Sequence, residues 1–96
     1  MIELRRTPEY DAWIRDLRDI NARARINARV QRMLGGNPGQ YRSLKGGVVE
    51  MKIDYGPGYR VYYTQRGSVL VILLCGGTKD RQQADIDLAT ALAANL

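Results

Sequence analysis

Ninety-six residues with 45% apolar side chains, 3 Pro and 10 Gly suffice for one domain, residues 1–96, with one modest core, and they exclude a disordered segment. The longest apolar stretch, residues 69–75, falls far short of the roughly 20 residues that a membrane helix needs. The charged start at Glu3, Arg5 and Arg6 is no secretory signal, so a soluble cytoplasmic protein with no membrane partner is expected.

Net charge is +5, and it is unevenly spread: residues 1–48 hold 10 Lys/Arg against 5 Asp/Glu, whereas residues 49–96 hold 5 of each. Residues 20–45 carry Arg23, Arg25, Arg29, Arg32, Arg42 and Lys45 with no acid. Such a one-signed segment suits a polyanion or an acidic protein partner, and equally a solvated helix face. The single Cys75 cannot form an internal disulfide, and the chain has no histidine to activate it as a catalytic thiol.

In chain order, Ile2-Glu3-Leu4-Arg5 alternates at period two and reads as a short strand. Thr7-Pro8-Glu9 then opens a helix, with Thr7 as cap, Pro8 in the first position and Glu9 matched to the dipole. Trp13, Ile14 and Leu17 supply its buried stripe. A second helix over residues 20–34, capped by Asp19, buries Ile26, Val30, Met33 and Leu34 and ends at Gly35-Gly36. Arg25, Arg29 and Arg32 share another of its faces. Residues 37–47 read as a Gly/Pro/Asn/Ser-rich loop.

Three strands are predicted next, over residues 48–54, 59–65 and 69–75, with short turns at Gly56-Pro57-Gly58 and Arg66-Gly67-Ser68 that make them antiparallel. Gly76-Gly77 is expected to break the last strand. Residues 80–94, with Ala84, Ile86, Ala89, Leu92 and Ala93 at roughly helical spacing, form a closing helix. The expected fold is α+β: an N-terminal strand and a helical hairpin packed on an antiparallel sheet of about four strands, with a C-terminal helix.

Alternation places Val49, Met51 and Ile53 on one side of the sheet and Glu50, Lys52 and Asp54 on the other, while Val61 and Tyr63 oppose Arg60, Tyr62 and Thr64. If the apolar sets face the helices, Glu50, Lys52, Arg60 and Tyr62 gather on an open face. Arg60 would then be exposed, and its removal would leave no cavity. An ordinary solvated sheet face with cross-strand ion pairs gives the same pattern.

Three segments, Lys45-Gly-Gly-Val-Val-Glu-Met-Lys-Ile-Asp54, Tyr55-Gly-Pro-Gly-Tyr-Arg-Val-Tyr-Tyr63 and Leu73-Leu-Cys-Gly-Gly-Thr-Lys79, followed by Gln83, Ile86 and Ala89, resemble the RelE/ParE toxin superfamily, in its HigB-like addiction module killer branch. The resemblance in order and spacing covers nearly the whole chain, including the hairpin ending Met33-Leu-Gly-Gly-Asn37. It implies a RelE-like domain, a cognate antitoxin, and metal-independent cleavage of mRNA on the ribosome that leaves a 2′,3′-cyclic phosphate and stops translation.

By that resemblance Arg60 holds the scissile phosphate and Lys52 and Lys79 flank it. Fixed cations there would stabilise the charge that builds when the adjacent 2′-hydroxyl attacks phosphorus. With no histidine, a departure from family members that use one, Glu50, Tyr62 or Lys52 is left as base and Lys79 as the group at the leaving oxygen. Arg25, Arg29, Arg32, Arg42, Lys45 and Arg81 are expected to contact RNA, and Tyr55, Tyr59 or Tyr62 could stack on a base. No cofactor is expected, and Asp80, Asp85 and Asp87 are too scattered to suggest a metal. Two alternatives remain open: a ParE-like toxin that poisons DNA gyrase, and a non-catalytic nucleic-acid-binding module.

Overall fold

A computed structural model describes residues 2–96. The chain begins as strand β1 (Glu3–Arg6) and enters helix α1 (Pro8–Asp16) at Thr7, whose hydroxyl accepts the Tyr10 amide at 3.0 Å while donating to the Leu74 carbonyl. One side chain thus caps a helix and pins it to the sheet. Asp19 caps helix α2 (Ile20–Leu34), accepting the Asn21 and Ala22 amides at 2.9 and 3.2 Å. Arg23 closes the hairpin by donating to the Leu17 carbonyl left free at the end of α1.

The sheet is mixed and has five strands, in the order β1-β5-β4-β3-β2. Strands β3 (Val48–Ile53), β4 (Tyr59–Arg66) and β5 (Leu70–Thr78) form an antiparallel meander, and β1 adds to β5 in parallel. The fifth strand, β2 (Tyr41–Ser43), pairs antiparallel with β3 inside the segment expected to be loop. All three of its residues are exposed, so it carries no buried-face alternation to mark it. Tertiary contact supplies it: the Arg29 guanidinium donates to the carbonyls of Lys52 and Pro38 at 2.8 and 2.9 Å, fastening this segment to α2 and β3.

The hairpin covers one face of the sheet. Ile26, Val30 and Met33 from α2 and Tyr10 from α1 pack against Met51, Ile53, Val61, Tyr63, Val71 and Leu73. Each fully buried aliphatic side chain contributes about 1.5–3 kcal/mol to such a core. The other face is covered as well. Helix α3 (Gln82–Ala94) lies across it and packs Ala89, with Ile86, Leu92 and Ala93 at its margin, against Val48, Tyr62, Ile72, Leu74 and Cys75. The expected open face of Glu50, Arg60 and Tyr62 is therefore the interface beneath α3, because the closing helix folds back over it.

β5 does not break at Gly76-Gly77 but runs on to Thr78, ending in a 3-10 turn (Lys79–Arg81). The two glycines serve close approach. A Cβ at Gly76 would stand 2.3 Å from the Trp13 ring of α1, and one at Gly77 would stand 1.8 Å from Asp85 Oδ2 of α3. Both helices touch the strand backbone where side chains are missing. A bulge between the partners of Tyr62 and Tyr63 puts Leu74 and Cys75 consecutively on the α3 side. Among the described residues no helix is long and apolar enough to cross a membrane.

The Trp13 contact sets a stability test. Gly76→Ala should lower folding stability by about 1–3 kcal/mol, the range for forcing a methyl group into a packed interior. Urea unfolding read by Trp13 fluorescence measures it, and an unchanged midpoint would show that the indole yields freely.

Candidate functional site

The sheet register assembles the predicted residues. Arg42 of β2 stands opposite Glu50 of β3, which stands opposite Tyr62 of β4; one step along, Lys52 is paired with Arg60, and Arg60 with Gly77 of β5. These positions share the α3 side. Glu50 is 5% exposed and Arg60 6%, while Tyr62 is fully buried.

Glu50 is the hub. Its Oε2 accepts from the Tyr62 hydroxyl at 3.0 Å and from Gln82 Nε2 at 2.8 Å, and its Oε1 meets Arg42 Nη2 at 3.2 Å. Arg60 Nε lies 4.0 Å from Oε2. A buried carboxylate needs such compensation, since desolvation alone would neutralise it. Burial, reinforced by the hydrogen bond to Glu50, pushes the Tyr62 phenol far above its ordinary value. Tyr62 therefore does not fit the base role expected of it, nor can its enclosed ring stack on RNA.

Arg60 is anchored by Nη1, which donates to the Gly58 carbonyl at 2.9 Å. Its Nε is buried with no hydrogen-bond partner among the described residues. Lys79, exposed in the turn before α3, comes to the same place: a methyl group at Gly58 would lie 3.3 Å from Arg60 Nη1 and 3.6 Å from Lys79 Cβ. Lys52 is half-buried across the strand pair from Arg60. Neither lysine has an ion-pair partner among the described residues. Beside this cluster Gln40, Tyr41, Arg42, Glu50 and Lys52 line a recess of about 340 Å³.

The remaining residues separate. Arg29, expected to face RNA, spends its guanidinium on backbone carbonyls. Tyr59 is 7% exposed and sets its ring edge-on to Trp13 at 6.4 Å, on the hairpin side, so it is core and not a stacking platform. Arg25 and Arg32 remain exposed on α2, with Arg25 4.6 Å above the centre of the Tyr55 ring. Lys45 lies in the 3-10 turn (Lys45–Gly47) near the end of α3, and Arg81 follows Lys79.

Two members of the buried cluster went unrecognised. Gln82 reaches Glu50, and Asp85, one of the three acids too scattered to suggest a metal, turns inward over Gly77. Burial raises the Asp85 carboxyl above its ordinary value of 3.8, with Arg81 acting against it, and Oδ2 is buried without a partner. The inward spacing of 82, 85, 86 and 89 is helical, but two of those residues are polar and read as surface. Among the described residues no group of three His, Cys, Asp or Glu could hold a metal ion.

A protein of Haemophilus influenzae (strain ATCC 51907 / DSM 11121 / KW20 / Rd), described as an uncharacterized protein, is 45% identical over 95 residues, covering 99% of this chain and 96% of its own length. The chain belongs to the family of that protein. No family model matches it.

Buried acids give the site's surroundings a defined alkaline limit. Burial raises Cys75 from 9.0 to about 12, helped by Asp85 and Glu9, and raises Tyr10 from 10.0 to about 12 against a lowering by Arg6. Both groups keep their protons longer when folded, so their contribution is intact below the unfolded values and is lost as pH climbs through the folded ones. Stability should hold to pH 9.0 and fall progressively towards about 12. Urea midpoints across that range measure it; a midpoint that does not move would contradict the assigned burial.

Proposed function

We propose that this chain is the toxin of a two-protein toxin–antitoxin pair of the RelE/ParE kind, acting in the cytoplasm as an endoribonuclease on ribosome-bound mRNA. The observation that carries the reading is the convergence of Lys52, Arg60 and Lys79 at one end of the sheet, with neither lysine in an ion pair among the described residues. The resemblance of the segments that hold these residues to that superfamily supports it.

In this reading the RNA phosphate is gripped by Arg60 through Nη2, which has no hydrogen-bond partner among the described residues. The substrate's 2′-oxygen attacks phosphorus and the bond to the 5′-oxygen breaks, leaving a 2′,3′-cyclic phosphate and a 5′-hydroxyl. Charge grows on the phosphoryl oxygens during attack, and preplaced cations bind that state more tightly than the ground state. With Tyr62 set aside, Glu50 takes the 2′-hydroxyl proton through Oε1, the oxygen that meets Arg42 at the edge of the recess. Lys79 gives a proton to the departing 5′-oxygen. Arg42, Lys45 and Arg81 contact neighbouring phosphates, and an antitoxin covers the cations when cleavage is not wanted.

Burial of Arg60 shapes the test. Arg60→Ala removes a nearly enclosed side chain, takes the donor from the Gly58 carbonyl and leaves Glu50 with Arg42 as its remaining ion-pair partner, so loss of activity could reflect loss of fold. Lys79→Ala is clean, because Lys79 is exposed. It should cost about 2.7–4 kcal/mol of transition-state stabilisation, or roughly 10²–10³ in single-turnover rate, with melting unchanged. Arg60→Lys should retain charge and part of the rate. A Lys79→Ala variant that cuts programmed ribosomes at the unaltered rate would end the proposal. Cleavage should also survive chelation of every metal except the magnesium the ribosome itself holds; a requirement for metal bound stoichiometrically to the isolated protein would contradict the mechanism.

A second reading, a gyrase-directed toxin on the same fold, is favoured by one observation: Tyr62, Glu50 and Gln82 form a hydrogen-bonded network under α3, with Arg60 Nε 4.0 Å from the carboxylate, that a purely structural role would explain. Cleavage in the ribosome assay separates the two.

A further inference from the structure

On the opposite side of the sheet from Glu50, the structure holds a second cationic feature that the proposed reaction does not use. Asn21, Arg25, Ala28 and Arg32 follow at i, i+4, i+7 and i+11 along α2, one continuous exposed face. Two adjoining hollows of about 360 and 350 Å³ lie between this face and the end of β3, and they share Arg25, Ala28 and Tyr55. Their floor is the methyl groups of Ala24 and Ala28 with Ile53 and the Tyr55 ring.

The groove is cationic and prepared. α2 contains no acid, and neither Arg25 nor Arg32 forms an ion pair among the described residues. Arg25 is held over the Tyr55 ring, and Tyr55 is fixed in turn by donating its hydroxyl to Asp19 Oδ2 at 3.1 Å. A cation held this way loses less freedom on meeting an anion than a free surface arginine does. Asp54 is the one carboxylate in the lining and marks the end from which an acidic ligand is repelled.

We infer that this groove docks an acidic, amphipathic segment of a protein partner, with small apolar side chains on the alanine floor and carboxylates against Arg25 and Arg32. RNA fits less well. Single-stranded nucleic acid needs open aromatic planes for its bases, whereas here Arg25 occupies a face of Tyr55 and Tyr59 is buried. The inference stands apart from the nuclease reading, since Lys79 and Arg60 lie across the sheet, and either can fail alone.

The test uses the full chain and a fluorescein-labelled synthetic helical peptide with Ala or Leu every third or fourth residue and Glu between. Its Lys-for-Glu counterpart and an oligouridylate of equal length serve as competing probes. The acidic peptide should bind, shift backbone amides of residues 21–32 and 53–55, and lose at least about tenfold in affinity with Arg25→Glu/Arg32→Glu. Ala28→Glu, an exposed position that puts a carboxylate on the floor without touching the Tyr55 contact, should weaken it similarly. Lys52→Ala/Lys79→Ala should leave it unchanged. The inference is overturned by absence of binding, by binding that survives the α2 variants while they melt normally, or by the oligouridylate shifting the same amides at equal or greater affinity.

Discussion

Glu50 holds four elements in register. From the middle of β3 its carboxylate receives Arg42 from β2, Tyr62 from β4 and Gln82 from α3, with Arg60 close by. Helix α3 offers the sheet one fully buried side chain, Ala89, and a margin of partly buried ones. Its seat on the sheet therefore depends on direction as much as on apolar area. A buried carboxylate supplies direction because its lone pairs accept only from certain angles, and losing a donor leaves charge stranded in low dielectric. That penalty discourages any other placement of the helix.

The two faces of the sheet are built on different physics. The hairpin side is a continuous apolar core in which Ile26, Val30 and Met33 meet alternate residues of three strands. The α3 side has a polar centre, with apolar packing displaced to the far end around Ile72 and Leu74. Side-chain contact on the first face is nondirectional and tolerates repacking. On the second, geometry is fixed by hydrogen bonds, and two of the buried polar atoms without a partner among the described residues, Arg60 Nε and Asp85 Oδ2, lie there.

Much of this architecture was legible in the residues. Thr7 and Asp19 cap the helices they were expected to cap, and alternation sorted β3 and β4 into the correct faces. What could not be read was tertiary. Arg29 fastens the segment leading into β2 by reaching the carbonyls of Pro38 and Lys52, a contact that no local pattern encodes. Gly76-Gly77 looks like punctuation until Trp13 and Asp85 are placed against it. The cluster of Lys52, Arg60 and Lys79 follows from strand pairing, but the burial of Arg60 and Glu50 does not, since polar residues at period two look the same under water or under a helix. Gln82 was missed for the same reason.

The bulge in β5 changes the strand's parity. Up to Leu73 the odd-numbered residues Val71 and Leu73 face the hairpin; beyond Leu74 the even-numbered Gly76 does, and the odd-numbered Cys75 and Gly77 lie under α3. A regular strand would carry the first parity through to its end, sending Gly77 towards Trp13 and turning Thr78 and the chain beyond it by half a pleat. Lys79 would then leave the sheet on the wrong side to approach Arg60. One inserted residue, midway along β5, thus decides on which side of the molecule the chain delivers its last lysine.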